Sequence, residues 1–573
     1  MKLASKLKRT ARPGNGPASP MDPSRRRSIQ AGLVAAAAIT SSQAPTPAAA
    51  KDPPRPRRLT PFVVPLAIPP VKQNVPALAP ATGEQPCAGE ARRVPHQFWD
   101  SPRKYYELDV GPGTHWFHPE MPPQTIWGYD RMFPGPTFVE RYGTPAIVRI
   151  HNNLRADANG PGTPQISTHL HNLHCGSISD GFPVDFYPGR DEPGLFRDHH
   201  YPHSYAGGDE REALGTLWYH DHCLFFTAAN VYRGLAGFYL MFDHIDSGDE
   251  NDPSATALRL PSGVGKYDIP LLINDPRIDS SGYLLYDQFE NDGHLGNVFC
   301  VNGKVSPYFK VERRKYRFRM LNASLARFYE FYLCTSAGAN QPFDYIANDG
   351  NLLPAPLRNE RKVALAPAER GEIVVDFSAW PVGTKLYLVN RLAQTDGRGP
   401  AQGLGNPRGS DGLLTAAGTQ ILRFDIDSDP PVPDASRVPD KLRDLPPMLE
   451  STKTRSWEFD RENDVWTVNG KLFDEVEPAA RIRRGSPEIW RLRGKGSWHH
   501  PVHIHMEEGR ILSRNGKPPP PHERGRKDVF VLNPGEEVRV YIRFRDFVGR
   551  YVMHCHNLVH EDHDMMVHFE IVP

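Results

Sequence analysis

Cysteine is scarce in this chain: six in 573 residues, at positions 87, 175, 223, 300, 334 and 555. So few thiols exclude a disulfide scaffold, although a Cys175–Cys223 and a Cys300–Cys334 pairing both stay open. A dominant charge is missing too, with 68 Lys and Arg against 67 Asp and Glu for a net +1. That balance excludes a generally basic nucleic-acid binder and an acidic tail protein. No apolar run approaches the roughly 20 residues a bilayer-spanning helix needs, so no stable membrane anchor is expected. Nor does any apolar periodicity predict a helix longer than about three turns.

What the chain has is turn-forming residues and histidine. The 58 Pro and 48 Gly show no repeat period and suit all-β domains, which need many turns. Short β-branched and aromatic runs alternate with Gly, Pro, Asn and Asp, as in Ala146–Ile150, Tyr316–Met320, Glu372–Phe377 and Glu537–Ile542. The first 50 residues differ. Arg25, Arg26 and Arg27 precede a short apolar stretch, Ala31 to Ile39, and Ala48, Ala49 and Ala50 follow in the manner of a cleavage site. Ser24-Arg-Arg-Arg-Ser-Ile29 resembles a twin-arginine signal, which predicts export by that machinery to a periplasmic or secreted location, with Met21 as an alternative start. Residues 51–80 read as a Pro-rich arm. Beyond it, Asp/Ser/Pro-rich stretches near 250 and 440 predict domains at 81–250, 251–440 and 441–573.

An internal repeat is present, and its histidine register links the first and last of these. Thr144-Pro-Ala-Ile-Val-Arg-Ile150 reads like Ser486-Pro-Glu-Ile-Trp-Arg-Leu492, and Val301-Asn-Gly303 is echoed by Val468-Asn-Gly470. His169 and His171 recur 334 residues later as His503 and His505, and His220 and His222 recur at the same offset as His554 and His556. Strand side chains alternate faces, so each His-x-His pair is a two-toothed ligand on one sheet face. Four such pairs supply eight imidazoles able to converge between the terminal domains.

Parity adds a second site. Cys555 faces away from His554 and His556, and His500 faces away from His503 and His505, so thiol and imidazole leave the eight-imidazole side together. His560 lies five residues after Cys555 and Met565 five further, a spacing for a loop that folds back on the same centre. Two imidazoles, a thiolate and a weak axial thioether form the trigonal blue-copper set. Zinc is the alternative, but it closes with four ligands and needs neither eight clustered imidazoles nor a thioether.

With these residues in view, the chain resembles the three-domain multicopper oxidases, most closely the bilirubin oxidase and bacterial spore-coat laccase branch. The likeness rests on Phe133-Pro-Gly-Pro-Thr137, Thr168-His-Leu-His171, Leu217-Trp-Tyr-His-Asp-His222, His500-Pro-Val-His-Ile-His505 and the run from His554 to Met565, with Lys315–Arg319 and Ala366-Pro-Ala-Glu-Arg370 in the middle domain. The resemblance implies three consecutive cupredoxin-like Greek-key β-sandwich domains and four copper ions. It implies type 1 copper on His500, Cys555, His560 and Met565, and type 2 copper on His169 and His503. His171, His220, His222, His505, His554 and His556 would hold the binuclear type 3 pair. Asp180 and Glu561 match acids that deliver protons, and Trp498 matches a Trp at the donor edge, where small organic reductants would meet His500 and His560. Asn172 departs from the family by standing where Gly usually follows His-x-His, while His174, His499 and His563 match no ligand position.

The implied activity is oxidation of phenols, aromatic amines or bilirubin-like donors one electron at a time, with O₂ reduced to water. The alternatives are a metal-ion oxidase for Mn(II) or Cu(I), a copper-tolerance protein, and a scaffold that kept the fold and lost copper. The 11 scattered methionines weaken the cuprous reading, and retention of all twelve ligands weakens the scaffold.

Overall fold

The third sandwich shows why these sequences become strands. In Pro487–Gly494 the side chains of Glu488, Trp490 and Leu492 are buried and alternate with more exposed neighbours, and Val538, Val540 and Ile542 repeat the pattern in Glu537–Arg543. The two strands pair antiparallel with Trp490 opposite Val540, so one face of the sheet is apolar and must be covered. A second sheet covers it, and Trp457, Trp466, Trp490, Val502, Ile504, Met553 and Phe569 fill the space between.

The computed structural model describes residues 58–79, 103–158, 160–190, 196–400 and 418–573. The export signal and the first part of the Pro-rich arm lie outside the described residues, as does Cys87. The described residues form three consecutive cupredoxin-like β-sandwiches. The first packs the sheet of Gln124–Tyr129, Lys104–His115, Ala146–Asn152 and Phe196–Tyr201 with that of Gly135–Arg141, Ala236–Phe242, Thr216–Asp221 and Thr168–His171. The second is built on seven- and six-stranded sheets, the third on two of five strands.

The repeats seen in the sequence are equivalent pieces of structure. Ala146–Asn152 pairs parallel with Lys104–His115, and Pro487–Gly494 pairs parallel with Lys453–Glu462. Val301-Asn-Gly303 and Val468-Asn-Gly470 are two-residue hairpin turns. Asn302 and Gly303 sit at φ 48° and 71°, Asn469 and Gly470 at 55° and 69°, the left-handed pair that a type I′ turn requires.

Extended residues 58–79 tie the first two sandwiches together. Leu66 N–H donates to Tyr308 O at 2.7 Å, whereas Lys72 N–H reaches Thr137 O at 2.8 Å and Val75 N–H reaches Tyr105 O at 2.7 Å. All three sandwiches meet around Arg370. Its guanidinium donates to Thr216 O of the first (3.2 Å), Asp349 O of the second (2.7 Å) and Asp528 Oδ1 of the third (2.8 Å). The five described cysteines are free buried thiols, so neither pairing left open by the sequence is a disulfide. Among the described residues no helix is long and apolar enough to cross a membrane.

Candidate metal centre

The strands His500–Ile504 and Gly549–Cys555 pair antiparallel with Val502 opposite Cys555 and His503 opposite His554. Alternation then divides them. Cys555 points into the third sandwich's core among Trp466, Trp498, Val502 and Met565, whereas His554 points out towards the first sandwich. His500 falls on the inner side, with its Nδ1 3.6 Å from Cys555 Sγ.

After Cys555 the chain turns through a short helix, Leu558–Asp562, rather than a plain loop. Asn557 caps it by accepting from Val559 N–H at 3.2 Å. This turn returns His560 to the thiol, with Nδ1 3.6 Å from Sγ, while the Asp292 carbonyl accepts from Nε2 at 2.9 Å. Met565 is drawn in by two main-chain bonds, its N–H to His560 O and its carbonyl from Cys555 N–H, both 3.0 Å. Burial pushes the Cys555 thiol well above its ordinary range and brings His500 down to about 3. A neutral imidazole and a thiol that needs a cation beside it to ionise are what a soft-metal site presents.

The eight remaining imidazoles converge across the seam between the first and third sandwiches. Thr168–His171 pairs with Thr216–Asp221 so that His169 lies opposite His220. Across the seam His171 stacks on His503 (ring centroids 3.7 Å, 12° between planes) and His169 on His505 (3.8 Å, 20°). Donor atoms group into three sets, each within 4.8 Å: His169, His171 and His503; His171, His220 and His556; His222, His505 and His554. Burial, followed by the neighbouring imidazoles, holds His169, His171, His505 and His556 far below the usual histidine range. Burial brings His222 to about 4. All of these are therefore in the neutral form that ligates.

Hydrogen bonds fix which nitrogen faces inward. Nδ1 of His220 and of His503 each meet a main-chain carbonyl, Asp221 O at 2.8 Å and Asp528 O at 3.0 Å, and His169 Nδ1 meets Asp180 O. His505 Nδ1 takes Asp180 Oδ2 at 2.8 Å and His554 Nδ1 lies 2.9 Å from Glu561 Oε2. His171 is reversed, with Nε2 on Asp528 Oδ1 at 2.9 Å. The opposite nitrogens of His169, His171, His220 and His503 are buried with no protein partner. One nitrogen anchored and the other aimed at a shared centre is how metal-ligating histidines are held, so the residues fit copper.

The structure thus brings eleven of the twelve expected ligands into two donor clusters, with Met565 buried in the same core as Cys555. Asp180 joins His505 to His169, and burial keeps its carboxyl well above the usual range; burial also raises Glu561, whose Oε1 lies 3.6 Å from His222 Nδ1. Asp221 is structural, accepting from Ser167 N–H (2.9 Å), Cys223 N–H (3.2 Å) and Asn230 Nδ2 (2.8 Å). Asn172 has φ 74°, which explains the usual Gly, and its amide donates to Asp349 O at 3.1 Å and Glu508 Oε1 at 2.9 Å. His174, His499 and His563 belong to neither cluster, and bond instead to Asp546, Arg398 O and Val559 O.

One expectation needs correction: His500 and His560 present no open edge to a donor, for both are completely buried. Trp466 stacks on His560 (3.6 Å, 25°), and Trp498 meets Trp466 edge-on at 4.8 Å and His560 at 5.5 Å. The Arg398 and Arg461 guanidiniums lie 5.3 and 5.1 Å from the Trp498 ring. Three participants escaped the sequence reading: Trp466, the Asp292 carbonyl and Asp528. Asp528 had an indirect signal, because Arg370 ends the noted Ala366-Pro-Ala-Glu-Arg string and pairs with it. Burial alone would raise Asp528; the Arg370 guanidinium instead holds it below the ordinary carboxylate range.

Comparison with known proteins agrees with this geometry. The family described as "Multicopper oxidase" matches residues 445–573. The bilirubin oxidase of Albifimbria verrucaria is 36% identical over 518 residues, covering 89% of this chain and 81% of its own length. The laccase of Bacillus subtilis strain 168 is 32% identical over 520 residues, covering 81% of this chain and 93% of its own. Among solved structures, a laccase from Pediococcus acidilactici superposes with a TM-score of 0.70 at 24% identity, covering 91% of this chain and 96% of its own, a likeness of fold. The converging histidines and cysteine and these relatives together place the chain in the multicopper oxidase family.

Proposed function

We propose that this copper oxidase takes electrons one at a time from phenolic, aromatic-amine or bilirubin-like donors and passes them to O₂, which the family reduces to water. The observation that carries the reading is Cys555, 3.6 Å from two imidazoles and covalently flanked by His554 and His556 of the neighbouring cluster. His500, Cys555, His560 and Met565 would hold the type 1 ion, and His169 and His503 the type 2 ion. The type 3 pair divides into His171, His220 and His556 for one ion and His222, His505 and His554 for the other, a division that follows the donor groups. Copper bound there supplies one-electron transfer at the thiolate and oxygen reduction at the histidines.

The chain's own groups do the rest. The peptide links from Cys555 to His554 and His556 give electrons a short covalent route between the sites. O₂ reduction consumes protons, and Asp180 and Glu561, buried and raised, are placed to hold them at His505 Nδ1 and His554 Nδ1. Trp498 and Trp466 cover His560, which keeps water from the type 1 site. The leader supports export to the periplasm or beyond. The reading is tested by a donor panel (bilirubin, a dimethoxyphenol, Mn(II), Cu(I)) on copper-loaded protein with O₂ uptake followed. Organic donors are expected to drive uptake; turnover of metal ions alone would replace this reading with the metal-oxidase one.

A further inference from the structure

A groove of about 500 Å³ opens on the seam between the first and third sandwiches, away from the twelve copper ligands. The first sandwich contributes Gly207 and Asp209 to its walls; the third contributes Arg484, Gly485, Arg543, Arg545 and Asp546. Most of the charge there is already matched. Asp209 is gripped by Arg211, whose Nε and Nη2 each lie 2.8 Å from its oxygens. Asp546 accepts from His174 Nε2 at 2.8 Å and from Gly207 N–H. Arg545 pairs with Glu507 at 2.7 Å and with Glu212 at 2.6 Å.

Arg484 and Arg543 are different. Each spends one N–H on a main-chain carbonyl, Arg484 Nη1 on Asp546 O at 3.2 Å and Arg543 Nε on Gly485 O at 2.8 Å. Neither forms an ion pair with a carboxylate among the described residues. Those carbonyl bonds steady the two planar groups while leaving most of their N–H donors directed elsewhere. Between them Gly485, at φ 81°, has nothing within 4 Å of where a side chain would begin, so the floor of the groove is open.

We propose that this groove is an oxyanion site that takes a small dianion of the phosphate or sulfate class between Arg484 and Arg543. Two guanidiniums with no carboxylate partner favour an anion, and the guanidinium fork suits the oxygens of a tetrahedral anion better than it suits a single-point acceptor. The volume admits such an anion with its water. A ligand that binds only the folded chain raises its stability by mass action.

Thermal unfolding of the copper-loaded full chain, with sodium phosphate titrated against sodium chloride at matched ionic strength, tests this, with sulfate as a second arm. Phosphate and sulfate are expected to raise Tm saturably and chloride not. In R484A/R543A the phosphate response should weaken at least tenfold, with copper content and donor turnover unchanged, while R484K/R543K keeps part of it. Equal shifts with chloride, or an undiminished response in R484A/R543A, would overturn the proposal. If that variant does not fold, calorimetric titration of the unaltered protein with phosphate decides, and an absence of saturable heat refutes the site.

Discussion

The first and third sandwiches are built alike, yet among the described residues only the third brings a thiol together with two imidazoles. Carrying the histidine offset of 334 residues through the other ligands sets Ile166 where the third sandwich has His500, Asp221 for Cys555, Phe226 for His560 and Val231 for Met565. Both copies kept the outward-facing pairs, His220 and His222 in one and His554 and His556 in the other. The inward residue between them went two ways. Asp221 became a buried acceptor that pins the turn after its histidines, whereas Cys555 became a candidate ligand. Outward positions are shared because the cluster at the seam needs both copies. Inward positions lie outside that cluster and were free to diverge.

The sharpest way to break this comparison is Cys555→Ser, which should make the third sandwich as inert inwardly as the first. Blue absorption and donor oxidation should vanish together in a chain that keeps its fold by circular dichroism; surviving turnover would show that electrons enter elsewhere. Next comes the seam. Asp528→Asn weakens the anchor of His171 and unpairs Arg370, so copper affinity should fall about 10–100-fold, read by copper retention against a chelator and by the electron-paramagnetic signal of the cluster. Smaller is Met565→Leu, which should shift the type 1 potential without loss of copper, since the thioether is a weak axial ligand. An unchanged potential in the copper-loaded variant would remove Met565 from the site. Least of all for the copper chemistry is Asp221→Cys. It should add no fifth copper, because Ile166, Phe226 and Val231 offer no ligand. It should lower stability by about 1–3 kcal/mol through unpaired buried donors, measured by metal analysis and denaturant unfolding.

Much of this was legible because spacing on a strand is geometry. The two-residue gap in His169-x-His171 or His554-x-His556 fixes a shared face before any fold is known, and the three-residue gap between His500 and His503 fixes opposite faces. What stayed hidden were partners brought from far along the chain. Asp292 lies 268 residues from the His560 it anchors and Asp528 lies 357 from His171. The closed cover of Trp466 and Trp498 was hidden too, because exposure depends on everything packed around a side chain rather than on its neighbours in sequence.

By itself, then, the order of residues determined the ligand types, their faces and the duplication that doubles them, all consequences of strand period and repeat. The folded chain decided which imidazole joins which donor group, which nitrogen each turns inward, and how the thiol site is closed to water. Those depend on carbonyls, carboxylates and rings that only packing three sandwiches against one another brings within bonding distance.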